Sequence, residues 1–334
     1  MKTLLLGLLA ATALGGAVQA QAPAPPAAAP ASAPALIREP PSNLQTGLDA
    51  DRFIGDPARS VTRIARDAIM TRKILTAGDP GQPGPDGAVL RYRKEVVLGT
   101  IQPGEASTLG GVPEQQIIYV THGLGRLDDG AKAWDLEPGY ALLIPPGVVH
   151  RLASVGDAPL EMIMMSTASP PTPAGGEILV RDTAKILYIE QGVHWTNMSK
   201  SPFSDLGERF LIVSMGPMTV AGAHAHTPET EEGWVKITDG PTFMQVGSEI
   251  RRWPANVGLL SPNNGQTVHA AINTSDTVES WFYFQGRPAT APQAPTNGPR
   301  PPLGGRVWTP EIAQSAIDAT VAPHALAAAP AKRK

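Results

Sequence analysis

The sequence lacks cysteine entirely and carries little net charge. With no cysteine among its 334 residues, disulfides, thiolate metal sites and a cysteine nucleophile are all excluded. The formal net charge is −3, and the one basic cluster is the terminal Lys332, Arg333 and Lys334. Neither nucleic acid nor an anionic membrane is therefore an expected partner. Any bound metal ion has to be held by histidine and carboxylate side chains.

Long apolar runs are also absent, except at the start of the chain. The run from Leu4 to Val18 follows Lys2 and is shorter than the roughly 20 residues that a membrane-spanning helix needs. Small residues, Val18 and Ala20, precede a cleavage site after Ala20. This pattern predicts a secretory signal peptide over residues 1–20, and hence a periplasmic or secreted protein with no membrane contact after cleavage.

Proline and alanine dominate the segments at both ends of the mature chain. Residues 21–48 form a Pro/Ala-rich linker, and residues 288–334 form a Pro-rich tail. Such segments favour extended chain and bury no core. Within the tail, Thr309 followed by Pro310 predicts the start of a short helix that runs to about Thr320.

The residues between these segments predict an all-β protein. Short β-rich runs are separated by Gly, Pro, Asn and Asp, and no long apolar stripe has the helical period of 3.6. The predicted strands are Ala88–Val97, Gln116–Thr121, Ala141–Ile144, Leu160–Met165, Phe210–Met215, Trp234–Thr238, Phe243–Val246, Gly258–Leu260 and Glu279–Phe284.

An internal repeat divides this region into two domains, residues 49–172 and residues 173–287. A glycine, a proline, a second glycine and a histidine recur in the same order in both halves. They are Gly139, Pro145, Gly147 and His150 in the first half, and Gly258, Pro262, Gly265 and His269 in the second. An amide or acidic pair lies upstream in each half, Gln115 with Gln116 and Glu231 with Glu232.

Most of residues 85–285 resembles the cupin superfamily, whose motifs read G-x5-H-x-H-x3,4-E-x6-G and G-x5-P-x-G-x2-H-x3-N. In the second half His224, His226 and Glu231 match the first motif, and His269 with Asn273 matches the second. The resemblance implies two tandem jelly-roll (double-stranded β-helix) barrels, as in bicupins, with a germin-like or oxalate-decarboxylase-like metal motif in the C-terminal barrel.

The first barrel departs from the ligand pattern. Gly110 and Val112 stand at the two histidine positions, and Gln116 stands at the glutamate position. A barrel histidine without imidazole partners is more often a hydrogen-bonded core residue than a ligand. We therefore predict a degenerate site in which His150 is structural.

The second barrel also departs from the pattern, in its spacing. Gly240 lies nine residues after Glu231, where the family places it seven after, and the segment from Pro262 to His269 is one residue longer. The extra length predicts a β-bulge near Gly233 and leaves either Glu231 or Glu232 as the carboxylate ligand. Glu231 is favoured, because germin-like cupins show the same Thr-Glu step at that distance from the histidines.

The ligand set predicts one divalent transition-metal ion, with Mn, Fe, Ni, Co, Cu and Zn all compatible. His224 and His226 are two apart, so on a strand they project from one face, and His269 has to cross the barrel to meet them. Three imidazoles and one carboxylate leave two cis positions open in an octahedral ion. A surface His-x-His pair with acidic neighbours is the alternative for His224 and His226 alone.

Other polar and aromatic residues are candidates for the surroundings of the ion. Trp234 and Lys236 follow the acidic pair on the same strand, and Lys236 faces either an anionic substrate or solvent. Asn273 completes the second motif. Phe282 and Tyr283 are expected to fill the core.

The fold does not name the reaction. The first hypothesis is a metal-dependent oxidoreductase, dioxygenase-like or decarboxylase-like, or a lyase, acting on a small carboxylate, phenolic or enediol compound. The alternative is a non-catalytic binder of metal or of a small ligand. A sugar isomerase or epimerase of cupin fold is the third, although the sequence shows no clear His–Asp base pair for it. The oligomeric state stays open, a homo-oligomer included.

Overall fold

A computed structural model describes residues 48–82, 84–168, 174–191, 194–206, 209–286 and 307–308. The predicted signal peptide, nearly all of the Pro/Ala-rich linker and the predicted C-terminal helix lie outside these ranges. Within them, no helix has the length and apolar character needed to span a bilayer. The described helices are short 3-10 turns at Ala50–Phe53, Pro57–Arg59, Thr183–Lys185 and Ser204–Leu206.

The described residues otherwise form β-strands, which confirms the all-β prediction. The strands are β1 (Ile54–Gly55), β2 (Arg63–Ala65), β3 (Ile69–Ala77), β4 (Ala88–Leu90), β5 (Glu95–Ile101), β6 (Gln115–His122), β7 (Gly125–Asp128), β8 (Ala133–Leu136), β9 (Tyr140–Ile144), β10 (Arg151–Ser154), β11 (Leu160–Thr167), β12 (Leu179–Asp182), β13 (Tyr188–Gln191), β14 (His194–Lys200), β15 (Phe210–Met215), β16 (Thr219–Val220), β17 (Glu231–Lys236), β18 (Thr242–Val246), β19 (Glu249–Arg252), β20 (Gly258–Leu260), β21 (His269–Asn273), β22 (Glu279–Gly286) and β23 (Val307–Trp308).

The first barrel consists of a large and a small sheet, both antiparallel except for the parallel pairing of β4 with β3. The large sheet has the order β12-β9-β6-β11-β5-β3-β2, with β4 added to β3, and the small one has the order β10-β7-β8. Successive side chains of a strand point to opposite faces, so alternate residues fill the interior. These residues form a buried hydrophobic cluster that includes Ile118, Leu142, Ile144 and Met164.

The second barrel repeats this arrangement. Its large sheet has the order β1-β20-β17-β22-β15-β14-β13-β23, and its small sheet has the order β16-β21-β18-β19. The central strand β17 lies between β20 and β22, as β6 lies between β9 and β11 in the first barrel. The tandem-barrel fold expected from the cupin resemblance is confirmed.

The two barrels exchange strands and share one of the two hydrophobic clusters. Strand β1, from the first half of the chain, pairs with β20, and β12, from the second half, pairs with β9. One hydrophobic cluster contains buried residues of both large sheets, among them Leu143 and Ile163 from the first and Val235 and Phe282 from the second. The barrels therefore support each other through their large sheets.

The strand predictions hold well at the centre of each barrel. Strands β15 and β20 have the predicted bounds, whereas the strand predicted at Ala88–Val97 is two strands, β4 and β5, separated by residues 91–94. The predicted β-bulge near Gly233 is wrong, because β17 pairs with both neighbours without a register shift. The extra residue lies before β17 instead, in a turn where Thr230 N donates to Thr227 O.

Candidate metal centre

Four side chains of the second barrel converge at one place. They belong to His224, His226, Glu232 and His269, and each offers one ligand atom within 4.8 Å of all the others. Glu232 and His269 are buried, and His224 and His226 are half-buried. This is the one such group that the described part of the chain contains.

His269 lies on β21 of the small sheet, and His224 and His226 lie beside it in the segment before β17, not on a strand as the sequence suggested. His224 and His269 face each other in an antiparallel bridge, in which His269 N donates to His224 O at 2.9 Å. Their ring centroids are 4.4 Å apart, and that of His226 lies 4.8 Å from His224 and 5.0 Å from His269. The expectation that His269 crosses the barrel is therefore wrong, since it lies next to His224.

The carboxylate comes from the opposite, large sheet. Glu232 Oε2 is 2.8 Å from His226 Nε2, and Glu232 Oε1 is 3.2 Å from His269 Nε2. Because Glu232 lies on β17 and His269 on β21, the cluster bridges the two sheets of the second barrel.

Glu231, the carboxylate favoured from the sequence, points elsewhere. Neighbouring residues on a strand face opposite sides. The carboxylate of Glu231 accepts hydrogen bonds from the backbone N–H groups of Arg91, Tyr92 and Arg93. Burial raises its pKa, although these N–H donors oppose the shift. The structure thus corrects the preference for Glu231 and places Glu232 beside the histidines.

Three donors hold the carboxylate of Glu232. Trp234 Nε1 donates to Oε1 at 3.0 Å, while Tyr283 Oη and Gln285 Nε2 donate to Oε2 at 2.7 and 3.1 Å. Burial acts to raise the pKa of Glu232, but contacts with His226 and His269 outweigh it and lower the pKa well below its usual value. The carboxylate is consequently ionised at neutral pH and is oriented before any ion binds.

Hydrogen bonds at the Nδ1 atoms orient two of the imidazoles. Ser261 Oγ lies 2.8 Å from His269 Nδ1, and Gly222 O lies 3.2 Å from His224 Nδ1. A metal-binding histidine commonly donates its other ring N–H in this way, which leaves Nε2 as the ligand atom.

The cluster passes a test of fit for a metal ion. His226 Nε2 is buried without a hydrogen-bond partner, because its 2.8 Å approach to Glu232 lacks hydrogen-bond geometry. A buried polar atom left in this way is costly unless something satisfies it. Three imidazole nitrogens and an ionised carboxylate are ligands suited to a divalent transition metal.

Of the predicted surrounding residues, Trp234 contacts the cluster and Lys236 does not. Lys236 is completely buried, and its Nζ lies 2.5 Å from Glu279 Oε2 and 2.6 Å from Thr238 Oγ1. Burial lowers the pKa of Lys236, and the Glu279 carboxylate opposes this shift. The lysine therefore faces neither solvent nor a substrate.

Asn273 has a structural position. Its Nδ2 donates to Gly216 O at 2.9 Å and to Thr277 O at 2.8 Å, while its Oδ1 accepts from Ser275 N. The side chain joins the two turns at this end of β21 and lies outside the cluster.

In the first barrel, His150 lies at the position that corresponds to His269. It forms an antiparallel bridge with Gly110, as His269 does with His224. Its Nε2 lies 2.6 Å from Arg66 Nη1, and its Nδ1 lies 2.9 Å from Val148 O. Burial lowers the pKa of His150 to about 4, and the charge of Arg66 contributes.

Three hydrogen-bond partners of the cluster were not predicted from the sequence. Ser261 follows β20, and Tyr283 and Gln285 lie on β22, opposite Trp234 and Glu232. Tyr283 was expected to fill the core. The alternation of Tyr283 and Gln285 with Phe282 and Phe284 is a signal that their polar groups share one face.

A family model described as "Cupin domain" matches residues 97–166, which belong to the first barrel. No curated protein matches the chain. The barrel that the family model recognises is thus the one without the histidine cluster.

Several solved structures share the fold. AerE from Microcystis aeruginosa is 13% identical with a TM-score of 0.53, over 70% of this chain and 98% of that one. Protein Ylba from E. coli is 13% identical with a TM-score of 0.55, over 74% and 95%. Oxalate decarboxylase from Bacillus subtilis, studied in one of its structures for its Mn(II) centres, is 12% identical with a TM-score of 0.52, over 73% and 82%. At these identities the likeness establishes the fold.

Proposed function

We propose that this chain, a cupin-superfamily protein, holds one divalent transition-metal ion between His224, His226, His269 and Glu232. The observation that carries the proposal is the convergence of four ligand atoms within 4.8 Å of one another. The oriented carboxylate and the unpartnered His226 Nε2 support it. The Mn(II) centres of the similar oxalate decarboxylase make manganese the first ion to test.

We further propose that the protein is a metal-dependent oxidoreductase or lyase acting on a small carboxylate, phenolic or enediol compound. A bound ion of this kind supplies Lewis-acid or redox chemistry to an oxygen-bearing compound that reaches it. The cluster is not fully enclosed, because His224 and His226 are half-buried while Glu232 and His269 are buried.

The charges near the cluster support an anionic substrate. Lys236, the cation suggested by the sequence, is paired with Glu279 and is unavailable. Burial raises the pKa of Tyr283, whose hydroxyl donates to Glu232, and the charge of the exposed Arg209 opposes this shift. A guanidinium at this position can pair with a carboxylate or phenolate.

Elemental analysis of the purified protein, followed by oxygen-uptake and product assays with small carboxylates and catechols, tests the proposal. We expect about one equivalent of metal and turnover that disappears with the metal. Stoichiometric metal without turnover on any of these compounds would favour the non-catalytic binder. Absence of metal after reconstitution with Mn²⁺, Fe²⁺, Co²⁺, Ni²⁺, Cu²⁺ and Zn²⁺ would refute the metal centre. Conversion of a sugar without metal would favour the isomerase or epimerase.

Export remains a proposal that rests on the first 20 residues. A signal peptide cleaved after Ala20 leaves Gln21 as the mature amino terminus. Cell fractionation with amino-terminal sequencing tests this, and a cytoplasmic protein that retains Met1 would contradict it.

A further inference from the structure

The carboxylate of Glu231 is anchored in an unusual way for a buried acidic group. Its side chain belongs to the second barrel and is 1% exposed. The backbone N–H groups of Arg91, Tyr92 and Arg93 donate to it over 2.6, 2.9 and 3.0 Å. We call residues 91–93 the amide cradle. Three converging backbone donors form an anion-binding concavity, and here its occupant comes from the other barrel.

The amide cradle is held by strands of the first barrel. Just after it, Lys94 N donates to Ser166 O at 2.9 Å, and Lys94 O accepts from Ala77 N at 3.0 Å. Just before it, Leu90 O accepts from Gly78 N at 2.9 Å. The cradle is therefore fixed on both sides, and a group bound to it is fixed with respect to the first barrel.

Glu232 lies at the start of β17. The strand begins at Glu231, directly after the turn between Thr227 and Thr230. Its backbone pairs with β22 from Glu231 onward, and Ser261 N donates to Glu232 O at 2.8 Å. To these backbone contacts Glu231 adds a side-chain contact with the first barrel. Glu231 faces the cradle while Glu232, the next residue, faces the histidines. The carboxylate of Glu231 thus limits rotation and fraying of the backbone that carries Glu232.

We propose that Glu231 is a positioning residue for the metal centre, and that the first barrel sets the geometry of Glu232 through the amide cradle. This inference rests on the proposed metal centre. It assigns a role in metal binding to the barrel that has no histidine cluster of its own. Residues that hydrogen-bond a metal ligand typically change metal affinity by about 10- to 100-fold when they are removed, and a residue that acts through the backbone is expected at the lower end of this range.

The experiment compares metal binding in Glu231→Gln and Glu231→Ala with the parent protein. Co²⁺ is titrated into metal-free protein, with affinity and the visible absorption spectrum as readouts, since the spectrum reports the arrangement of the ligands. We expect affinity to fall about tenfold in Glu231→Gln and further in Glu231→Ala, with a changed spectrum in both. Tyr92→Pro removes one cradle donor from the first barrel and should change affinity in the same direction.

Glu279→Gln is the matched control. It also removes a buried carboxylate from the second barrel, but one whose partners are Lys236, Thr238 and Thr277. We expect it to lower the melting temperature while leaving Co²⁺ affinity and spectrum unchanged. This control separates loss of stability from loss of positioning.

Three outcomes would overturn the inference. If Glu231→Gln and Tyr92→Pro bind Co²⁺ with the affinity and spectrum of the parent, the cradle contact is only structural. If Glu231→Gln loses all binding while Glu232→Gln retains it, Glu231 is a ligand. If the parent itself binds no ion, the metal centre fails first, and that result is visible without any Glu231 variant.

Discussion

The two barrels have the same strand order around their central strand but different chemistry at equivalent places. Gly110 bridges His150 in the first barrel, and His224 bridges His269 in the second. By strand register, Gln116 on β6 corresponds to Glu232 on β17. Similar backbones therefore place side chains at similar points, and the residue types decide whether those points can hold a metal ion.

The side chains around Gln116 and around Glu232 also differ, apolar in the first barrel and hydrogen-bonding in the second. By strand register, Ile118 and Met164 of the first barrel correspond to Trp234 and Tyr283 of the second. Ile118 and Met164 offer no hydrogen-bond donor, and the buried Oε1 of Gln116 has no hydrogen-bond partner. In the first barrel the guanidinium of Arg66 faces the histidine instead. At these positions the first barrel thus has neither the metal-ligand side chains of the second barrel nor the donors that hold Glu232.

The strongest test of this difference is removal of single imidazoles. His224→Ala, His226→Ala and His269→Ala should each lose the metal, because three remaining ligands compete poorly with water at an open site. His150→Ala should keep the full metal content of the parent. Elemental analysis after desalting measures both. Metal retained by the His224 variant, or an equivalent lost with His150, would break the distinction between the barrels.

Glu232→Gln tests the carboxylate by giving the second barrel the side-chain type of the first. The amide keeps the shape but loses the negative charge, and the buried Tyr283, Trp234 and Gln285 donors remain. We expect metal affinity to fall more than about a hundredfold, beyond the loss usual for a supporting residue. Gln116→Ala is the matched control and should leave metal affinity unchanged. Equal affinities in Glu232→Gln and the parent would remove Glu232 from the ligand set.

The stability of the first barrel should depend on acid through His150. Its pKa is about 4 in the folded protein, because of burial first and Arg66 second, and about 6.5 in an unfolded chain. A depressed pKa means that the unfolded state takes up the proton first. The associated stability is therefore present above pH 6.5 and is lost as the pH falls towards 4 and below, by about 3 kcal/mol in total.

Denaturant unfolding of His150→Gln at pH 7 and pH 4.5 measures this effect. The variant should lose less stability on acidification than its parent does. Both proteins should carry His224→Ala, so that metal release does not contribute. His122→Gln, at an exposed histidine, is the control and should keep the acid sensitivity. Identical pH dependence in the His150 variant and its parent would show that His150 does not titrate as described.

The smallest expected effect concerns Tyr283, whose register counterpart in the first barrel is Met164. Tyr283→Phe removes the 2.7 Å hydrogen bond to Glu232 but keeps the ring. We expect metal affinity to fall about tenfold, since supporting hydrogen bonds commonly contribute that much. Phe282→Leu, on the opposite face of β22, should alter stability and leave affinity unchanged. An unaffected Tyr283→Phe would limit the role of the hydroxyl to satisfying a buried carboxylate.

The all-β class and the repeat follow from local features of the sequence, and the clustering of the three histidines was implied by the resemblance to cupins. Strand-like runs, turn residues and motif spacing are short-range patterns, and they predict a strand or a ligand type without knowledge of the fold. The choice between Glu231 and Glu232 was open because both follow the histidines at nearly the same distance. The spacing to Gly240, eight residues after Glu232 and nine after Glu231, is closer to the family pattern for Glu232, whereas the spacing from His226 fits Glu231.

Only the tertiary structure decided where each of these side chains points. Glu231 points away from the histidines because residues 91–93, from the other barrel, supply its hydrogen bonds. Lys236 is buried because Glu279 lies beside it. His269 neighbours His224 because β21 bridges the histidine segment within the small sheet. Each of these contacts joins residues far apart along the chain, and burial makes each hydrogen bond or ion pair obligatory once the strands have met. The sequence alone determined which ligand side chains are present, and the pairing of distant strands determined which of them lie together at the candidate metal centre.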